Sequence, residues 1–212
     1  MNQQHFLRIK FLNISKRAPL IVKKVKIMAE TPTIQIPLGF KAPDFKLPDV
    51  VSGKELSLDD LKSDKATVVV FICNHCPYVI HIIDELVKVG KEYTDKGVSF
   101  VMINSNDVEK YPEDSPEKMV EFAKKHGFPF PYLFDETQEV AKAYDAACTP
   151  DFNVFDGNMK CVYRGQFDDS RPKNGKAVTG IDLRKTLDLL LIGQEVPKKQ
   201  MPSTGCNIKW KT

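Results

Sequence analysis

Apolar positions along the chain follow two rhythms. From Ala66 to Cys73 the run ATVVVFIC is apolar at nearly every position, the pattern of a strand covered on both faces. Directly after it, Val79, Ile82, Ile83, Leu86 and Val87 recur at three- and four-residue intervals, which predicts an amphipathic helix from Tyr78 that ends before Gly97. VSFVMINSN is a second buried strand, and the three pieces form a βαβ unit whose parallel strands need that crossover. Downstream, DSPEKMVEFAKKHG predicts a helix with Ser115 as N-cap, Pro116 in first position and Gly127 as its stop. PYLFD reads as a short strand and ETQEVAKAYDA as a short helix. DFNVFDGNMKCVYRG gives two strands about an Asp156-Gly157 turn. A last helix, GIDLRKTLDLLLIG, carries Ile181, Leu183, Leu187, Leu190 and Leu191 at helical spacing. Upstream, GFKAPDFKLPDVVSGKELSLDDL alternates short apolar pieces with proline and a Ser52-Gly53 turn, a small hairpin. The order predicts an α/β fold: a central mixed β-sheet flanked by helices, with an N-terminal hairpin extension.

At 212 residues, 42% hydrophobic and 28% charged, the chain suffices for one well-cored domain. The net charge of +3 is unevenly spread, because residues 1–29 hold seven Lys/Arg and no Asp or Glu. The remainder is therefore net acidic, which argues against a nucleic-acid surface on the folded part. No stretch is long and apolar enough for a membrane span, and cations interrupt every short apolar run of the first 30 residues, so a secretory signal is not expected. Residues 1–32 read as a basic extension, either transit-like or disordered, and 33–212 as the folded domain. The expected location is an organelle matrix (mitochondrion or plastid) or the cytoplasm, not the secreted space.

Five cysteines in an unexported chain do not make a disulfide framework. Cys73 and Cys76, in CNHC, fall where the buried strand turns into the helix. Unpaired amides and the helix dipole at such a junction favour thiolate over thiol, and only the thiolate attacks a disulfide or an oxidant. Cys73 is expected to be that nucleophile, and Cys76, about a turn further on, the thiol that resolves the mixed disulfide. His75 between them adds a donor and, when protonated, a charge that favours the reduced form. The competing reading is zinc held by Cys73, Cys76 and His81, for which no second CxxC or H-x3-H supplies a fourth ligand.

The CxxC at the first strand-helix junction and the element order resemble the thioredoxin fold. APDFKLPDV resembles the opening of its AhpC/TSA (redoxin) branch. CNHCPYV, YPEDSPEKM, CTPDFNVFD, RGQFDDSRP, VTGIDLR and PSTGCNIKW together resemble peroxiredoxin-like thioredoxin-family proteins over roughly residues 37–212. The resemblance implies that Cys73 and Cys76 are the nucleophilic and resolving thiols. It also implies that Thr149-Pro150 is a cis-proline segment facing them and binding substrate backbone. The pattern departs from true peroxiredoxins, which resemble Pro-x-x-x-Thr-x-x-Cys: aligned on Cys76, Cys73 stands at the threonine and Val69 at the proline, and CTPDF offers no arginine for peroxide oxygens.

These observations imply a thiol-disulfide oxidoreductase working through Cys73 and Cys76 without metal or organic cofactor. A peroxiredoxin-like thiol peroxidase and a non-catalytic or zinc-binding module are the alternatives. Its partners would be protein or small-molecule thiols and disulfides, or peroxides, together with a thiol reductant. Neither nucleic acid nor a membrane is expected among them. Cys148 and Cys206 are candidate accessory thiols: Cys148 precedes Thr149, and Cys206 lies in a Pro/Gly-containing tail expected to be exposed unless Trp210 docks it. Cys161 belongs to a core strand. His81 reads as a side chain of the helix surface, and His126 suits the dipole at the end of its helix. Arg164, Asp168, Asp169 and Arg171 fall in a long loop where they form ion pairs or line a groove.

Overall fold

The structure is a computed structural model that describes residues 30–34 and 36–212. The expected transit-like or disordered character of residues 1–29 lies outside the described residues. Glu30–Pro32, on the extension side of the boundary expected at 33, is strand β1.

The N-terminal hairpin consists of β2 (Lys46–Pro48) and β3 (Glu55–Ser57), paired antiparallel and turned through Gly53 at φ +72°. It leads into a single helical turn, α1 (Leu58–Leu61), closed by a reciprocal Ser57–Asp60 capping box. Next come β4 (Ala66–Phe71), α2 (Pro77–Thr94) and β5 (Val98–Asn104), the βαβ unit read from the sequence. Helix α3 (Pro116–His126) starts at Ser115, whose Oγ accepts from the Lys118 amide, and stops at Gly127 in the left-handed region at φ +63°. The remaining elements are β6 (Tyr132–Phe134), α4 (Glu139–Ala143), β7 (Cys148–Thr149), β8 (Asp151–Asp156), β9 (Cys161–Gly165), α5 (Ile181–Leu191) and β10 (Thr204–Asn207).

The central sheet runs β6-β5-β4-β8-β9. β4 is parallel to β5 and antiparallel to β8, and the β8–β9 hairpin carries a register shift at Val154/Phe155. Alternation along β4 sends Val68 and Val70 into one apolar layer with α2, α3 and α5, and Val69 and Phe71 into another with α1, α4 and the hairpin. Both faces are thus filled, which is why the sequence is apolar without a period of two. Burying Val79, Ile83 and Leu86 along the inner stripe of α2 contributes about 1.5–3 kcal/mol per side chain. Among the described residues no helix is long and apolar enough to cross a membrane.

A second sheet, with the order β1-β10-β7, is absent from the sequence reading. The C-terminal tail returns to pair with β7, so that Cys206 lies opposite Thr149 and Asn207 opposite Cys148. On its other side Cys206 lies opposite Glu30. The tail is therefore not an exposed segment: Cys206 and Ile208 are buried. Trp210, the residue expected to dock the tail, stays partly exposed beneath the Lys142 ammonium.

Candidate active site

Strand β4 ends at Phe71 and α2 begins at Pro77, so the CNHC segment forms the connection between them. The apolar pattern predicts Cys73 at the helix start, but it is Cys76 that occupies the N-cap. The reason is Pro77. Proline fits the first helical position, where its missing N–H costs nothing, so the residue before it becomes the cap.

Three sulfurs meet here. Cys76 Sγ lies 2.6 Å from Cys206 Sγ and 3.1 Å from the Thr149 carbonyl oxygen. Cys73 Sγ lies 3.3 Å from Thr149 Oγ1. The Thr149–Pro150 peptide bond is cis, as the family resemblance implies, and the segment faces both thiols of the CxxC. Cys73, Cys76 and Cys206 are all buried.

Their electrostatics differ. Burial alone would raise the Cys76 thiol, yet hydrogen bonds from the Cys206 and Cys73 thiols outweigh it and hold Cys76 well below the ordinary thiol range. The Val79 amide in the first turn of α2 pulls the same way, although Cys76 makes no regular capping hydrogen bond. Cys73 moves in the opposite direction: burial, its hydrogen bond to Cys76 and the charge of Asp114 push it well up. Cys206 is also raised, first by its hydrogen bond to Cys76 and then by burial. Of the three sulfurs Cys76 is the one whose thiolate its surroundings favour, and when it carries a proton its Sγ donates to the Thr149 carbonyl oxygen.

A polar network fixes the connection. The buried carboxylate of Asp114, at the end of a 3-10 turn over Pro112–Asp114, accepts from the Asn74 amide at 2.8 Å and from Asn106 Nδ2 at 2.7 Å. Asn74 donates from Nδ2 to the Glu113 carbonyl and accepts from the Tyr132 hydroxyl. His75 Nδ1 sits 2.7 Å from Asp114 Oδ2, and its ring stacks on Tyr111 with centroids 5.5 Å apart. Burial works against the imidazolium, but Asp114 outweighs it, so the His75 pKa is raised. His75 thus faces Asp114 rather than bridging the two cysteines. Sequence reasoning assigns no role to Asp114 or Tyr132; the only signal is a polar, proline-flanked turn in YPEDSPEKM.

Cys73 Sγ, a His75 ring nitrogen and an Asp114 oxygen lie within 4.8 Å of one another, a grouping able to offer three ligands. Both Asp114 oxygens are already engaged, and a closed structural zinc site needs a fourth ligand. The set Cys73, Cys76 and His81 is not assembled, because His81 Nε2 pairs with Ser170 Oγ at 2.7 Å.

Cys148 Sγ lies 3.6 Å from Thr33 Oγ1 and also from the Pro150 carbonyl oxygen, and burial raises its thiol. Cys161, in β9, is likewise buried and pushed up to about 12. His126 pairs with Asp84 at 2.8 Å. Arg164, expected in the long loop, instead belongs to β9, where it is buried and donates to the Tyr144 and Asp145 carbonyls. Asp168 is also buried and accepts from the Thr179 and Gly180 amides where α5 begins. Asp169 pairs with Lys176 at the surface, and Arg171 holds Gln166 and the Asp168 carbonyl. A groove of about 490 Å³ between α5 and the segment before β10 is lined by Leu189, Ile192 and Met201 but by no cysteine.

The AhpC/TSA family model matches residues 38–167. The chain is 61% identical to an uncharacterized conserved protein from Geobacillus kaustophilus, covering 87% of this chain and 97% of that one with a TM-score of 0.85. It is 48% identical to a hypothetical protein from Sinorhizobium meliloti, over 86% of this chain and 99% of that one, with a TM-score of 0.84. The thioredoxin domain of a thiol-disulfide oxidoreductase from Bacteroides vulgatus superposes with a TM-score of 0.56 at 18% identity, over 72% of this chain and 99% of that one. That match reports the fold alone, which is thioredoxin-like. No curated protein matches the chain.

Proposed function

The chain belongs to the AhpC/TSA family, whose matched region contains the CxxC, and we propose that within it this protein is a thiol-disulfide oxidoreductase whose attacking sulfur is Cys76. The observation that carries this reading is the pairing of a thiolate-stabilised Cys76 at the N-cap of α2 with a protonated Cys73 beside it. Cys76 would attack a substrate disulfide, forming a mixed disulfide and releasing one substrate thiolate. A neighbouring thiol would then attack Cys76, release the second thiolate and leave an intramolecular disulfide for an external dithiol to reduce. A stabilised thiolate favours the reduced state, so the couple should be a comparatively strong oxidant.

The peroxidase alternative has less support. Thr149 Oγ1 is the hydroxyl beside the pair; it lies 3.3 Å from Cys73 Sγ and also helps lower the Cys76 thiol, so it is shared between the two sulfurs instead of being reserved for a peroxide. Arg164 is engaged by backbone carbonyls away from the sulfurs.

Two measurements test the proposal. The pH profile of iodoacetamide labelling should show Cys76 reacting at about pH 5, where an unperturbed thiol is inert. Insulin reduction driven by dithiothreitol should disappear in Cys76→Ser. Unchanged reduction in that variant sinks the assignment, and fast peroxide consumption that survives Cys73→Ser would transfer it to the peroxidase.

A further inference from the structure

Strand β10 lies against the Thr149–Pro150 edge in the way an incoming peptide would, and it brings a cysteine with it. Cys206 pairs with Thr149, and Ser203 Oγ donates to the Pro150 carbonyl at 2.7 Å. This contact is shaped for close approach: a Cβ on Gly205 would stand 2.0 Å from the Thr149 carbonyl oxygen, so only glycine lets the two backbones lie so near. Cys206 Sγ then reaches to 2.6 Å from Cys76 Sγ, only about half an ångström beyond an S–S bond of ~2.05 Å. Cys73 Sγ lies 3.3 Å from the Thr149 hydroxyl.

We propose that β10 is a tethered, substrate-like strand, and that its Cys206 is a redox partner of Cys76 able to complete exchange without Cys73. The proposal rests on Cys76 being the attacking sulfur, as read above. With glutathione disulfide as the oxidant, the Cys76 thiolate attacks one sulfur, the Cys76–glutathione bond forms and the first glutathione thiolate leaves. Cys206 gives up its proton, its sulfur attacks Cys76 Sγ, and the Cys76–glutathione bond breaks to release the second glutathione thiolate. Two electrons have then passed from Cys76 and Cys206 to glutathione disulfide; the one proton released, from Cys206, ends on one glutathione, and the other glutathione thiolate takes its proton from water. A dithiol of the dithiothreitol class reverses the change. Because both sulfurs are buried while β10 is docked, the strand leaves its edge to admit each disulfide and returns to deliver Cys206.

The test is full-length Cys73→Ser treated with glutathione disulfide, quenched with acid, alkylated and mapped by peptide mass spectrometry. The expected product is a Cys76–Cys206 disulfide with no glutathione retained. A lasting glutathione adduct on Cys76, with Cys206 free to alkylate, overturns the proposal and leaves the oxidoreductase reading standing. No modification of Cys76 at all overturns both. Adding Gly205→Val should slow formation of the bond by roughly tenfold or more, because the docked strand no longer fits, and should let the glutathione adduct accumulate; an unchanged rate contradicts the substrate-like docking. Should Cys73→Ser fail to fold, rapid quenching of the unmutated protein replaces it. The Cys76–Cys206 bond is then expected among the first products, and its absence at every time point overturns the proposal.

Discussion

At the scale of single residues, the same side chain takes opposite characters according to what lies within hydrogen-bond reach. Cys73 and Cys76 are both buried, and desolvation raises both thiols; only Cys76 has enough donors around it to reverse the sign. Asp151 shows the cost of lacking them. It is fully buried, accepts a long hydrogen bond from the Ala147 amide, and has Arg164 at 3.7 Å. Burial outweighs the arginine and lifts its pKa from 3.8 to about 6. A folded-state pKa above the unfolded one means the native protein binds the extra proton between those values. The contribution is present below pH ~4 and is lost as pH rises through about 6. A displacement of that size is worth about 3 kcal/mol. Asp151→Asn should therefore gain stability relative to the unmutated protein on going from about pH 4 to pH 7. Urea unfolding of the reduced proteins at both pH values checks this, and a difference between them that stays constant with pH would contradict it.

At the scale of elements, the sequence carries what is periodic or capped and misses what depends on a distant partner. Strand β4, the stripe of α2 and the Ser115-to-Gly127 limits of α3 are legible because each is written in consecutive residues. The N-cap at Cys76 is also written there, in Pro77, but the length of the apolar run points to Cys73 instead. Strands β1, β7 and β10 are two to four residues long and exist only through pairing with residues far along the chain, so no local period announces them. Helix α2 sets up a competition that magnitudes decide. Gly90 is a weak helix former, and alanine there would gain about 1 kcal/mol of propensity. A Cβ at that position would sit 2.6 Å from Phe130 Cε1, a buried ring packed against Phe128 and Phe100. Overpacking of that kind costs about 1–3 kcal/mol. Gly90→Ala should thus be net destabilising by about 1 kcal/mol in chemical denaturation, and a stabilised variant would show that the ring yields freely.

At the scale of the whole molecule, the candidate site is closed by chain segments that meet far from where the sequence leaves them. Thr33 donates its amide to the Ser203 carbonyl, and the Gln166 amide bonds to the Met201 carbonyl. Beyond β10, the Lys209 amide bonds to Asn106 Oδ1 and its carbonyl accepts from the Asp107 amide. Gln138 completes the clamp. Buried, and held at φ +64° just before α4, it donates from Nε2 to the Ser105 and Lys209 carbonyls and accepts from the Lys211 amide. The Asn106 that grips the tail also donates to Asp114, so the tail and the CNHC connection share one polar network. Removing the Gln138 amide takes its donor from the Ser105 carbonyl and leaves the Lys209 carbonyl with the Asp107 amide alone, a loss of about 1–3 kcal/mol. That loss falls on the junction between tail and domain, not on the β4–β5 core. Gln138→Ala should therefore speed amide exchange over residues 204–211 while β4 and β5 keep the protection of global unfolding. It should also raise the alkylation rate of Cys206. Were exchange to accelerate equally in β4 and in the tail, the tail would be an inseparable part of the core, and docking and undocking of β10 could not gate access to Cys76.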